Sequence, residues 1–332
     1  MVFCILSLTS PVMAKDYLYV PTLAGVDVID MGTDTVIKHI PISGYIIGGK
    51  FSPDGKRYYI NFWRGIHVID TDKNELIATH TLHSDLNRVV VMPSFAVSND
   101  GKKLYLSVAI TKKKLNIPRL NVLPPQLIIY DIATRKIDKS YEIPYCATGL
   151  IALRNDPNHI IVVNQDVHKL DFRTGKLEKM MGILRPIGDA PALNSLVIWD
   201  NESPGDHGLM VNAAYTAEDL FYMIFNRNDG TVSMLKGEEA VFEYSCVLSH
   251  DKKYLYAGMD EVYKIDFKTG KTLGMDPIHQ GTVYAFALNS DSTKLYCGPA
   301  GADVTVYDTK TMKRIGVVYL SGDGIIAHRL TK

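Results

Sequence analysis

An aspartate that returns at the end of an alternating apolar run constrains this chain more than any other feature. It stands at Asp30, Asp70, Asp131, Asp171, Asp266 and Asp308. A polar turn follows each time, of the Asp-x-x-Thr-Gly-Lys kind in its clearest copies, and then another β-rich run. Successive gaps are 40, 61, 40, 95 and 42 residues. A period of about 40 to 45 residues with four short strands is the signature of a β-propeller blade. The gap of 61 is one blade plus an insertion. The gap of 95 hides a blade in which Phe225-Asn226 replaces the aspartate. The expectation is an all-β, seven-bladed propeller of four-stranded antiparallel blades.

Strands are lettered A to D from the axis outward. Tight A–B turns recur at Ser52-Pro53-Asp54-Gly55-Lys56, Ser98-Asn99-Asp100-Gly101-Lys102 and Ser249-His250-Asp251-Lys252. Asp, Asn, Gly and Pro supply the dihedrals such hairpins need. These turns and the C–D turns share one face of the disk; the B–C connections and the links between blades share the other. The first unit begins at a B-like strand, Tyr17 to Val20, with no A strand before it. Residues 322–330 are predicted to supply that innermost strand and close the ring, removing the exposed sheet edges.

Two blades depart from the pattern. The third carries an insertion, residues 111–126, whose three lysines and three prolines make a poor strand and a poor helix. It is predicted to be a long loop on the B–C face, where function concentrates. The fifth reads as strands at 193–200, 209–216, 221–228 and 231–236, with Trp199 in the core between blades and a bend at Ala217 to Leu220.

With 36 basic and 36 acidic side chains the net charge is zero, which offers no electrostatic footprint for nucleic acid. Residues 1–14 run apolar and end in Val-Met-Ala before Lys15, as an export signal does, without the basic start of a full leader. The run is too short to span a bilayer, so no membrane insertion is expected. This places the chain in the periplasm, with residues 15–332 as one domain. Cys4 leaves with the signal; Cys146, Cys246 and Cys297 are odd in number and read as small hydrophobes in the packing.

Few residues point to chemistry. There is no Cys-x-x-Cys-His, no Gly-x-Gly-x-x-Gly after a strand and no P-loop. His80 and His83, beside Asp85, would point to opposite sides of an extended strand. Ser203, Asp206 and His207 have triad residue types but sit in a hairpin turn. The repeated aspartates are structural. Phe62, Trp63 and Arg64 occupy a B–C connection, where Trp and Arg serve as interface anchors. No catalytic, cofactor-binding or metal-binding residue is assigned to this chain.

The stretches QLIIYDIATRKIDKSYEIP, HKLDFRTGKLEKMMGI, ALNSLVIWDNESPGDHGLMVNAAYT and YSCVLSHDKKYLYAGMDEVYKIDF resemble the β subunit of quinohemoprotein amine dehydrogenase, beyond a general likeness to YVTN-type propellers. The resemblance implies one subunit of a periplasmic heterotrimer that oxidises primary amines to aldehyde and ammonia. It places a cysteine tryptophylquinone on a small γ subunit and c-type haems on a dihaem α subunit. The β propeller holds the γ subunit and helps wall the substrate cavity. The bend at Ala217 to Leu220 is shorter than the resemblance leads one to expect. Position on the B–C face nominates Phe62, Trp63, Arg64, Lys113, Asn116, Arg119, Tyr215, Phe221 and Tyr222 for the partner and cavity surface. Two rivals are a stand-alone YVTN-like scaffold without activity, and a hydrolase with a metal in the central channel. The predicted inner strands FAVS, ALNS and CVLS offer few ligands for the latter.

Overall fold

The computed structural model describes residues 14–44, 46–145, 147, 149–164, 166–183, 203–216, 218–238, 241–278, 281–324 and 326–332, the side chains of Ile47 and Pro299 excepted. The expected strand at 193–200 with Trp199, the cysteines at 4 and 146, Ala217 and nearly all of the export signal lie outside these residues. Among the described residues every regular element is a strand, and the fold is a β-propeller.

The repeated turns explain why the strands end where they do. At Asp30 the carboxylate accepts the N–H groups of Gly32 at 2.8 Å and Thr33 at 3.2 Å. Asp266 does the same for Lys268 and Thr269. Four residues after each such aspartate the chain enters the left-handed region, as at Asn74 (φ 53°), Arg135 (φ 57°) and Gly270 (φ 73°). Asn226 and Gly230 (φ 76°) repeat the arrangement, so Asn does stand in for Asp there. In the A–B turns Ser52 Oγ donates to Asp54 at 2.6 Å and accepts from Arg57 N–H at 2.9 Å. The same pair of bonds recurs at Ser98 and Ser249.

The pairing overturns the expectation of seven four-stranded blades: five blades, not seven, are found among the described strands. The described strands form six sheets. Five stand alone as blades: sheet II (residues 46–81), sheet III (87–142), sheet IV (149–182), sheet V (209–236) and sheet VI (245–277). Sheet I is continuous and eight-stranded, joining the strands of residues 283–324 to those of 16–41 and 328–331. The cause is the strand Lys313–Gly324. It runs 12 residues, and its end crosses to Asp16–Thr22, where Gly324 pairs with Thr22. Ser321 N–H caps the crossing on the Asp27 carboxylate at 2.6 Å, and Leu23 N–H reaches Asp323 O at 3.0 Å. Residues 322–324 therefore belong to an outer strand. The C-terminal strand that pairs with Asp16–Thr22 is the shorter His328–Thr331. The pairing among the described strands does not show the predicted closure of the ring.

Sheet III corrects the loop expected at 111–126. The strand Lys103–Lys113 continues past the sheet and pairs with Asn87–Val97 on one side. On the other, Leu120–Val122 folds back on it in the register Leu120↔Lys113, Asn121↔Lys112 and Val122↔Thr111. The insertion is thus a β prong with its tip at residues 114–119.

Apolar side chains pack between neighbouring sheets, where alternation along each strand directs them. Tyr19, Phe51 and Tyr58 form one such contact, with Tyr19 edge-on to Phe51 at 5.2 Å. Glycine sets the bend that presents Trp63 and Arg64. A Cβ on Gly65 would lie 1.9 Å from His80 O, on the paired strand. Gly65→Ala is therefore expected to cost about 2 kcal/mol by forcing the strands apart, read as a lower urea midpoint with unchanged m-value.

Candidate partner-binding face

The two faces of the disk differ in chemistry. The turn face, with its Asp, Ser and Gly turns, carries none of the exposed large apolar side chains found among the described residues. Those not on outer strands all lie at the loop face, among them Leu23, Trp63, Leu115, Val122, Tyr145 and Phe242. Exposed apolar groups that share one face make that face the candidate contact surface.

The nominated residues divide into three groups. Phe62 is half-buried and stacks on His67 at 4.3 Å, with an interplanar angle of 19°. Trp63 is 46% exposed, and Arg64 is exposed. Their carbonyls accept Val91 N–H at 3.2 Å and Leu82 N–H at 2.9 Å, which ties this bend to the base of the prong. Lys113, Asn116 and Arg119 are exposed at the prong itself. The third group lies in sheet V. Tyr215 and Tyr222 converge, whereas Phe221 faces the opposite side of its strand and packs with the core shared by sheets IV and V.

What Tyr215 and Tyr222 converge on is Glu243, which the sequence reading missed. Tyr222 donates to Glu243 Oε1 at 3.0 Å. The Tyr215 hydroxyl donates to Glu243 O and accepts its N–H at 2.7 Å. Cys246 Sγ lies 4.0 Å from Glu243 Oε2. Burial pushes the Glu243 carboxyl up to about 8, with the Tyr222 bond pulling the other way. Burial likewise raises the Tyr222 phenol and the Cys246 thiol. At neutral pH the three groups are uncharged, and Cys246 is a poor nucleophile. Above them lies an aromatic rim. Phe242 stacks on Tyr215 at 5.1 Å, Tyr244 meets Phe242 edge-on at 5.6 Å, and Tyr284 meets Tyr244 edge-on at 5.0 Å. The adjoining bend at residues 216–219 is tight: Asp219 N–H bonds Thr216 Oγ1 at 2.8 Å, and Thr216 N–H bonds Asp219 O at 2.9 Å. On the rim Phe242 is 48% exposed, while Tyr215 and Tyr244 are half-buried.

The remaining candidates are absorbed by structure. His80 is buried, with Nδ1 bonded to Tyr130 Oη at 2.9 Å. Among the described residues no three of His, Cys, Asp and Glu converge as a metal site. Asp206 Oδ2 accepts Ser203 N–H at 2.8 Å, and Asp206 Oδ1 pairs with Arg329. His207 Nδ1 accepts Leu209 N–H at 3.1 Å. Ser203, Asp206 and His207 therefore form a turn and its anchor, with no relay between them. Cys246 and Cys297 are both buried in the strand packing.

No family model and no curated protein matches this chain. Among solved structures it is similar to a functionally unknown protein from Desulfotomaculum acetoxidans DSM 771, at 15% identity, covering 95% of this chain and 98% of that one, with a TM-score of 0.62. It is also similar to Kuenenia stuttgartiensis hydrazine synthase, at 14% identity, covering 90% of each chain, with a TM-score of 0.57. At such identity the likeness shows the propeller fold alone.

Proposed function

We propose that this chain is a scaffold subunit whose loop face holds a redox partner, in the manner of the β subunit of a periplasmic amine dehydrogenase. The observation that carries this is the one-sided distribution of exposed apolar groups, from Trp63 through the prong to Phe242. The resemblance of sheets III to VI in sequence supplies the class of partner: a small quinone-bearing subunit and a dihaem subunit.

In this reading the quinone, held by its own subunit, supplies the two-electron acceptor for primary amine oxidation. This chain's residues act around it. The rim of Tyr215, Phe242 and Tyr244 covers the partner's open side and excludes water. Glu243, kept neutral by burial, fixes Tyr215 and Tyr222 through hydrogen bonds and so fixes the rim. Trp63 anchors the far side of the contact.

The test is amine-dependent dye reduction, with the chain alone and with the haem and quinone subunits present. The chain alone is expected to be inactive. The assembly is expected to be active and to lose at least tenfold of its rate when Trp63→Asp and Phe242→Asp are introduced together. Full activity without this chain, or an unaffected double variant, would refute the reading.

A further inference from the structure

We propose that the prong of sheet III seats in an acidic surface of a redox subunit bound at the loop face, and that this contact sets the salt dependence of assembly. The proposal rests on the function proposed above and names the chemistry of the partner at one place.

Charge is the first argument. Arg88, Lys112, Lys113, Lys114 and Arg119 crowd the free end of the prong, and Arg64 stands on the adjoining bend. Among the described residues none of these six cations has an ion-pair or side-chain hydrogen-bond partner. From residue 86 to residue 125 the single carboxylate is Asp100. Asp100 lies at the opposite end of the hairpin, on the turn face, bonded to Ser98 Oγ at 2.6 Å and Lys102 N–H at 3.1 Å. The chain as a whole is neutral, so the positive field at the prong is local and directional. An acidic surface complements it.

Exposed aliphatic groups are the second argument. Leu115 is 83% exposed, Val122 67% and Leu120 61%. They add nothing to the core and interleave with the cations, which suits a contact that desolvates both.

The backbone decides between a protein and an anionic lipid surface. Leu120–Val122 is an end strand of its sheet, and among the described residues no strand pairs with its outer edge. Unpaired N–H and C=O groups are costly in hydrocarbon. A polypeptide partner can pair them, as in strand addition. Pro118 and Pro124 flank the strand and keep the edge short, which limits pairing with copies of itself.

The experiment uses this chain co-purified with the haem- and quinone-bearing subunits. The dissociation constant of the assembly is measured at low and moderate NaCl for the unaltered chain, for K112Q/K113Q/K114Q and for K112E/K113E/K114E. Reversal is expected to weaken assembly at least tenfold at low salt, neutralisation to give an intermediate loss, and both to flatten the salt dependence. Assembly with no response to either variant overturns this proposal and leaves the scaffold function standing. Failure of the unaltered chain to join those subunits overturns both. Binding to phosphatidylglycerol vesicles that reversal abolishes, with subunit binding unchanged, assigns the prong to lipid and overturns the proposal as well.

Discussion

Replacing Glu243 by Gln is expected to remove a large downward slope of stability with pH. Burial raises the Glu243 carboxyl from an ordinary 4.5 to about 8 in the folded chain. Between those values the folded state holds a proton that the unfolded state has released, so stability falls as pH rises. The contribution is complete below about pH 4.5 and lost once pH passes 8. Across that window the difference amounts to roughly 5 kcal/mol. A glutamine keeps the shape and a partner for Tyr222, and it cannot ionise. Urea unfolding at pH 5 should therefore find the two proteins within about 1 kcal/mol, and at pH 8.5 the variant should be the more stable by several. A parallel pH dependence in both proteins would show that Glu243 is not held neutral.

Loss of Arg329 is the second large effect. This residue lies on His328–Thr331, and its side chain is 5% exposed. It pairs with Asp206 of the turn before sheet V and lies 3.6 Å from Asp16 on the paired strand. His250 Nε2 is 3.2 Å away. One guanidinium thus joins the C-terminal strand, the first strand and the turn faces of sheets V and VI. Arg329→Met keeps most of the packing and leaves two largely buried carboxylates without their cation, which typically costs 3–5 kcal/mol. The sign of its pH dependence separates charge from packing. Burial pushes the Asp16 carboxyl up, but hydrogen bonds from Thr331 and Ser290 and the Arg329 charge outweigh it and hold it below its ordinary 3.8. On acidification Asp16 should therefore protonate earlier in the variant, and the gap to the unaltered protein should narrow. A gap that stays constant down to pH 3 would assign the loss to packing alone.

Much of this was legible because turns obey local rules. The aspartate turns, the Ser-x-Asp hairpins and the substitution of Asn226 were readable, since each depends on residues within five positions. The joined sheet was not. Gly322 and Gly324 have poor strand propensity, and the crossing rests on Gly324 pairing with Thr22 and Ser321 bonding Asp27, both partners at the far end of the chain. Lysine and proline dominate residues 111–126 and predict a loop where the prong stands. The strand forms from three residues, Leu120–Val122, confined between Pro118 and Pro124. Glu243 escaped notice because an acid between Phe242 and Tyr244 in a link between sheets reads as exposed. Its burial is imposed by Tyr215 and Tyr222, 28 and 21 residues earlier. The place of Phe62, Trp63 and Arg64 at a bend between two strands was readable for the same local reason.

Hydrogen exchange on the chain, free and bound to the quinone- and haem-bearing subunits, tests the central claim most directly. Binding should slow exchange at the loop face: the bend at residues 63–64, the prong at 112–122, the bend at 216–219 and the rim at 241–244. The Asp turns of the opposite face should exchange as they do in the free chain. Protection confined to those turns, or none at either face, would contradict the account.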